Sequence, residues 1–338
     1  MRDANKLEIF SRKNEHLDLA KKSRISEKYS DKRFYYEPML GRFDFSKDIS
    51  IEFLGKKMMA PIWISSMTVG TTQGCNINTI IGKVVKKFCL GMGLGSCRIV
   101  LENFENTKLH EEKGFLLRNV VGEKTPLLAN LGIAQIKKEN FQKICEMVSY
   151  LQTDGLIIHL NPLQEFIQHN GDKWNISALE MIDLFLGHSG VKFPVIVKEV
   201  GQGIGPESLR LLLDRDLYGV DLAGFGGTNF SYLELLRNKS ARFKAPFVKI
   251  GHSNQEMLTF LQEIDSEKKI HKKIIFSGGI KNYLDGYYFS NFFPKNSLYS
   301  YGGRVLKIIQ EGGEKLLEDF FENEIQSLVF ANEFLRIR

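Results

Sequence analysis

Short apolar runs alternate with longer amphipathic segments along most of this chain. The runs are Pro61-Ile-Trp-Ile-Ser-Ser66, Gly91-Met-Gly-Leu-Gly-Ser96, Pro126-Leu-Leu-Ala-Asn130, Gly155-Leu-Ile-Ile-His-Leu160, Pro194-Val-Ile-Val-Lys-Glu199, Gly219-Val-Asp-Leu-Ala-Gly224, Lys273-Ile-Ile-Phe-Ser-Gly278 and Ser297-Leu-Tyr-Ser-Tyr-Gly302. Their continuous apolar character reads as strands buried on both faces, the mark of a parallel sheet. Between them, 76–88, 138–152, 178–186, 206–215, 232–236 and 255–264 carry apolar residues at helical spacing, bounded by Gly or polar residues. Eight strand-then-helix units predict an α/β fold, a (β/α)8 TIM barrel, with a doubly wound sheet as the other arrangement this alternation allows. Residues 1–60 read as an N-terminal extension to a single barrel domain spanning 61–338. That extension holds a helical start and Ile49-Ser-Ile-Glu-Phe-Leu54, expected to form a hairpin closing the barrel bottom. The tail 311–338 reads as one or two amphipathic helices.

Composition narrows the classes. At 338 residues, 43% hydrophobic and 25% charged, the chain is too apolar for a disordered one. No apolar run approaches the roughly 18 residues that span a bilayer, and the first residues lack the apolar core of a signal peptide, so a cytoplasmic protein without a membrane partner is expected. Cys75, Cys89, Cys97 and Cys145 form no zinc-ligand spacing, which fits reduced thiols. The net charge is +6, and residues 1–60, with fourteen basic and ten acidic side chains, carry four of those six excess charges. A solvated face accounts for such a bias, and so does an anionic small ligand. Nucleic acid would demand longer blocks of like charge, so no nucleic-acid partner is expected.

In a parallel barrel the chemistry lies at the C-terminal ends of the strands. Here those ends carry Ser66, Met67 and Thr68, then Ser96 and Arg98, Asn130, His159, Asn161, Gln164 and Glu165, Lys198, and Thr228. Any one alone reads as a cap or turn residue; polar groups at nearly every strand end read as a site. Glycine-bearing turns at Gly224-Phe-Gly-Gly-Thr-Asn229, Ser277-Gly-Gly-Ile280 and Gly302-Gly303 close the last strands. Glycines there let backbone N–H groups approach a phosphate, while P-loop and dinucleotide fingerprints are missing.

Individual residues sharpen this reading. Lys198 ends a buried strand, where an amine needs an anionic partner: a reduced flavin's N1, or a carboxylate such as Glu199 or one inside the barrel. In His159-Leu-Asn-Pro-Leu-Gln-Glu165, His159 and Asn161 share one strand face. A lone Glu165 suits Mg2+ that completes its shell with water and phosphate oxygens, and it equally suits a helix cap. Arg12 and His16, four apart, share one side of a helical turn with Lys13 adjacent, and with Arg98 could grip a diphosphate.

Together these segments resemble the type 2 isopentenyl-diphosphate delta-isomerases, the FMN-dependent family. The resemblance rests on Arg12-Lys13 with Glu15-His16, Ser66-Met-Thr68, Gly95-Ser-Cys-Arg98, Ala129-Asn-Leu-Gly132, His159 through Glu165, Lys198-Glu-Val-Gly201, Gly226-Gly-Thr-Asn229 and Ser277-Gly-Gly-Ile280. It implies FMN held by Ser66, Met67, Thr68, Ser96, Asn130, Lys198 and Thr228, with Gly278, Gly279, Gly302 and Gly303 about its phosphate. It further implies substrate diphosphate or hydrocarbon held by Arg12, Lys13, His16, Ser96, Arg98, His159, Asn161 and Gln164, catalytic roles for Gln164 and His159, and Mg2+ on Glu165. NADPH or NADH as flavin reductant and a homotetramer or larger assembly follow from the same resemblance. The chain departs from the pattern at Val69 (glycine in the family), Cys97 (glutamine), Lys281 (arginine), Gly302-Gly-Arg304 (a more apolar Ala-Leu-Pro-like stretch) and across 238–256. Two other readings stand beside it: an FMN barrel oxidoreductase acting on a hydroxy acid or dihydro substrate, and a non-catalytic diphosphate- or nucleic-acid-binding protein.

Overall fold

The computed structural model describes residues 12–13, 15–43, 46–66 and 70–338. Eight parallel strands close into a barrel: β4 (Ile62–Ile64), β5 (Gly91–Gly93), β6 (Leu127–Gly132), β7 (Leu156–Leu160), β8 (Val195–Glu199), β9 (Gly219–Asp221), β10 (Lys273–Phe276) and β11 (Ser297–Tyr301), with β11 pairing back onto β4. Seven of the eight fall within the apolar runs, and β6 continues two residues beyond its run, to Gly132. Three strands precede them: β1 (Phe34–Tyr36) and the antiparallel hairpin β2 (Ile51–Phe53) and β3 (Lys56–Met58).

The barrel is apolar on both surfaces, for two reasons. Outside, helices such as Thr72–Lys87, Phe141–Tyr150, Ala178–Leu186, Pro206–Leu213, Asn254–Glu267 and Tyr283–Ser290 pack their apolar stripes onto the strands. Several begin on side-chain caps; Ser253 and Glu256, for instance, form a complete capping box. Inside, Trp63, Leu128, Ile157, Ile196, Ile275 and Leu298 form a separate cluster with Ile51, Phe53 and Met58 of the hairpin. The β2–β3 hairpin therefore plugs the barrel bottom, as the segment 49–54 suggested. Phe53 packs its ring 5.2 Å from Trp63, and Tyr218 Oη accepts the N–H of Leu54 at 2.6 Å. Gly91 is glycine because a Cβ there would lie 2.5 Å from the Trp63 ring.

The tail corrects the expectation of helices alone. A long helix runs Gly303–Phe334, interrupted by non-helical backbone at Gly313, and the chain then ends in β12 (Leu335–Ile337), antiparallel to β1. That pairing joins opposite ends of the sequence, which local periodicity does not register. Among the described residues, no helix is long and apolar enough to cross a membrane.

Candidate active site

Two residues beyond the apolar interior layer, the inward-facing positions become polar. Trp63 gives way to Ser65, Leu128 to Asn130, Ile157 to His159, Ile196 to Lys198, Ile275 to Ser277 and Leu298 to Ser300. Strand alternation requires the two-residue step, since only every second side chain faces inward. These residues border a cavity of about 430 Å³ at the C-terminal mouth, within the size range of small-ligand sites. Ser66, Ser96, Gln164, Thr228, Gly278, Gly279, Gly302 and Gly303 border the same cavity.

Register explains the polar network. His159 on β7, Lys198 on β8 and Asp221 on β9 are successive cross-strand partners. Lys198 Nζ lies 3.3 Å from the fully buried Asp221 carboxylate and donates to Ser277 Oγ at 3.4 Å; Ser277 Oγ in turn donates to Asp221. Lys198 thus has the barrel-interior carboxylate that its burial required and also faces the cavity. Glu199, the next residue, turns away: its Oε2 accepts the N–H groups of Gly201, Gln202 and Gly203 at 2.7, 2.6 and 3.1 Å. Burial nevertheless pushes Glu199 up to about 7, despite those donors. His159 is driven down to about 4, first by burial and then by the Lys198 charge, so it is neutral near pH 7. Its Nδ1 lies 2.9 Å from Asn130 Oδ1; with Oδ1 accepting, Nε2 is left as the ring's acceptor.

The glycine turns meet one another. Gly278 and Gly279 are successive residues at positive φ, 75° and 68°, and a Cβ on Gly278 would lie 2.1 Å from Gly224 O. Likewise a Cβ on Gly227 would come within 2.8 Å of Gly279 N, and one on Gly303 within 2.7 Å of Thr228 Oγ1. Two loop backbones and the start of the Gly303–Phe334 helix therefore come together around one end of the cavity. That arrangement presents N–H groups to an anion. Ser66 Oγ is buried and has no partner among the described residues, and it borders the cavity.

Not every expected residue reaches this cavity. Met67 and Thr68, with Val69, lie outside the described residues. Arg12, Lys13 and His16 are solvent-exposed and do not border it. Arg98 turns outward, its Nε 2.6 Å from Glu102 and its Nη1 2.6 Å from Asp172. Asn161 is buried beside the cavity and donates to Gln164 Oε1 at 3.3 Å and Glu165 Oε1 at 2.8 Å, while Glu165 Oε2 accepts the N–H of Asp172 at 2.7 Å. Cys97 is sealed in the core, its thiol pushed up to about 12 by burial, and supplies no polar contact to the cavity.

The structure also adds residues that the sequence reading passed over. Glu234, on the helix Phe230–Arg237, is buried; its Oε1 accepts from Gln164 Nε2 at 3.4 Å and from Arg237 Nη1 at 2.9 Å. Only packing reveals it, since one glutamate on an amphipathic helix carries no signal. Asp221 did carry one: an acid inside an apolar run, one strand over from Lys198. Arg304, at the first turn of the long helix, also borders the cavity.

Among the described residues, no group of three or more His, Cys, Asp or Glu side chains is placed to hold a metal. Glu165, the residue the sequence offered for Mg2+, does not border the cavity, and both of its carboxylate oxygens accept hydrogen bonds, from Asn161 and from the N–H of Asp172.

No family model matches the chain. The chain is 34% identical over 285 residues to the isopentenyl-diphosphate delta-isomerase of Rickettsia prowazekii, covering 82% of this chain and 80% of that protein. It is 36% identical over 243 residues to the enzyme of the same name from Rickettsia typhi, covering 71% and 68%. Among solved structures, a flavocytochrome b2 mutant with benzoylformate superposes with a TM-score of 0.63 at 13% identity, covering 90% of this chain and 75% of that one. A mandelate oxidase mutant carrying an FMN adduct gives 0.57 at 10% identity, covering 90% and 88%. These likenesses show the fold. Closed parallel barrel, apolar floor and polar mouth define an enzyme of the (β/α)8 class. The chain belongs to the type 2 isopentenyl-diphosphate delta-isomerase family.

Proposed function

We propose that this enzyme interconverts isopentenyl and dimethylallyl diphosphate by a 1,3-allylic proton transposition in isoprenoid biosynthesis, with reduced FMN and Mg2+ bound. The observation that carries the reading is that the glycine cradle, Lys198 and Gln164 border one cavity. The residues present fit FMN: N–H groups of the glycine turns for its phosphate, the unpartnered Ser66 Oγ, Ser96, Asn130 and Thr228 for polar edges, and Lys198 for negative charge on the reduced ring. Reduced FMN would supply an electron-rich, proton-exchanging surface beside the alkene, with NADPH as the source of its electrons.

The reaction adds a proton at the terminal methylene carbon and removes one from C2, with no net oxidation. Gln164 would hold or relay the mobile proton; its amide bonds Asn161 and the Glu234 carboxylate. Neutral His159 can accept a hydrogen bond at Nε2 without adding charge. Arg98 would exchange Asp172 for the diphosphate, joined by Arg12, Lys13 and His16 of the N-terminal segment, and Glu165 would bind Mg2+ against the same diphosphate. Neutralising and positioning the diphosphate would contribute much of the rate. A cytoplasmic homotetramer or larger assembly completes the proposal.

The test is direct. The purified protein should show a flavin spectrum; after reduction it should incorporate deuterium from heavy water into the isoprenoid diphosphate, and only with Mg2+. Net oxidation of a hydroxy acid, or undiminished Mg2+-dependent turnover in Glu165→Gln, would overturn it.

A further inference from the structure

Among the described residues, the cavity is bordered by two cationic side chains, Lys198 and Arg304, and by no carboxylate. Lys198 already has its counter-ion in Asp221. Arg304 makes no ion pair among the described residues; its Nη1 donates to the carbonyl of Lys281, and its guanidinium stacks 5.1 Å from the Phe320 ring centroid and 5.8 Å from that of Tyr301. A guanidinium has five N–H donors, of which that contact uses one. The aromatic rings and the carbonyl fix its plane in advance, so less rotamer freedom is lost when an anion binds.

Its surroundings are those of an anion site. Arg304 directly follows Gly302 and Gly303 at the start of a helix running to Phe334; Gly303 lies against Thr228 Oγ1, and the neighbouring Gly227 lies against the Gly278-Gly279 turn. The first N–H groups of that helix lack intrahelical partners. Two departures from the family pattern also become one exchange. The arginine expected at 281 is Lys281, which is exposed, lies outside the cavity and uses its backbone N–H to bond Asp285 at 2.8 Å, while an arginine stands instead at 304, hydrogen-bonded to the carbonyl of Lys281.

We propose that Arg304 is a specificity-determining residue that binds the ligand's phosphate and makes this cavity select a flavin mononucleotide over the unphosphorylated flavin. The inference rests on the flavin reading above and adds to it the residue responsible. An arginine meets a phosphate dianion through two parallel charge-assisted hydrogen bonds, whereas riboflavin offers it only a hydroxyl.

Flavin-free protein titrated with FMN and with riboflavin, followed by quenching of flavin fluorescence, tests this. Wild type should bind FMN more tightly than riboflavin. Arg304→Gln should weaken FMN by about tenfold, as expected for one charge-assisted contact, and shift riboflavin by less than about twofold. Arg304→Lys should fall between, and Lys281→Gln should leave both ligands unchanged. Equal losses for the two flavins in Arg304→Gln, or an unchanged FMN affinity, would overturn the assignment while leaving the flavin reading intact. A wild type that binds neither flavin would overturn the flavin reading and this inference with it. Unfolding curves of each variant identify any loss that comes from misfolding, in which case the Arg304→Lys comparison decides.

Discussion

The floor and the mouth of the barrel are built from the same strands, two residues apart, yet they do opposite things. The floor cluster around Trp63, Ile157 and Leu298 is apolar, fully buried and sealed by the β2–β3 hairpin. The mouth carries a histidine, a lysine, an asparagine and three serines at the equivalent inward positions. Polar groups in such a place cost stability unless each finds a partner. Lys198, Asp221 and Ser277 partner one another, and Ser65 shares a 2.7 Å hydrogen bond with Ser300. The floor therefore carries the folding energy that lets the mouth hold groups poised for a ligand.

Variants that exchange these roles should show it, the largest effect coming from the floor. Trp63→Ala removes the side chain that fills the space above Gly91 and beside Phe53, and should cost about 3–5 kcal/mol in urea unfolding. At the mouth, Lys198→Met leaves the buried Asp221 carboxylate without its counter-ion and should cost about 3 kcal/mol. The double variant Lys198→Met/Asp221→Asn should recover most of that stability without recovering flavin affinity; recovery of both would mean that Lys198 serves the fold alone. Glu234→Gln keeps a hydrogen-bonding partner for Gln164 but removes the charge. Isomerase turnover should fall by roughly a hundredfold while the unfolding midpoint barely moves.

The smallest effect is on pH dependence. His159 titrates near 4 in the folded protein against an ordinary 6.5, so between those values the unfolded chain takes up a proton that the native state refuses. Its contribution to stability is complete above 6.5 and declines as pH falls toward 4. Glu199 acts in the opposite sense: raised from 4.5 to about 7, it favours the native state fully below 4.5 and loses that contribution as pH rises through 7. His159→Gln should flatten the acid side of the stability profile, measured by urea unfolding between pH 4 and 7, and an unchanged slope would refute the burial of a neutral imidazole.

The residues most legible in the sequence were those whose role follows from strand position. Asn130, His159, Lys198 and the Gly278-Gly279 turn stand at the ends of apolar runs, and the cavity gathers them. Residues that act across helices were not legible. Glu234 meets Gln164 only because two helices after different strands lean together, and Asp172 diverts Arg98 through a loop whose path depends on Gly171 lying against Glu165. The β1–β12 pairing escaped for the same reason, since its partners are far apart in the chain.

What the sequence by itself determined is the order of strands and helices and the layer at which apolar side chains give way to polar ones. Both follow from local periodicity, because burial repeats every second residue along a strand and about every 3.6 along a helix. Only the tertiary structure decided which polar groups meet: Lys198 with Asp221, Gln164 with Glu234, and Arg98 with Asp172 rather than with the cavity. Barrel closure and loop paths set those distances, and Coulombic and hydrogen-bond energies vary with distances of a few ångströms that no one-dimensional pattern encodes.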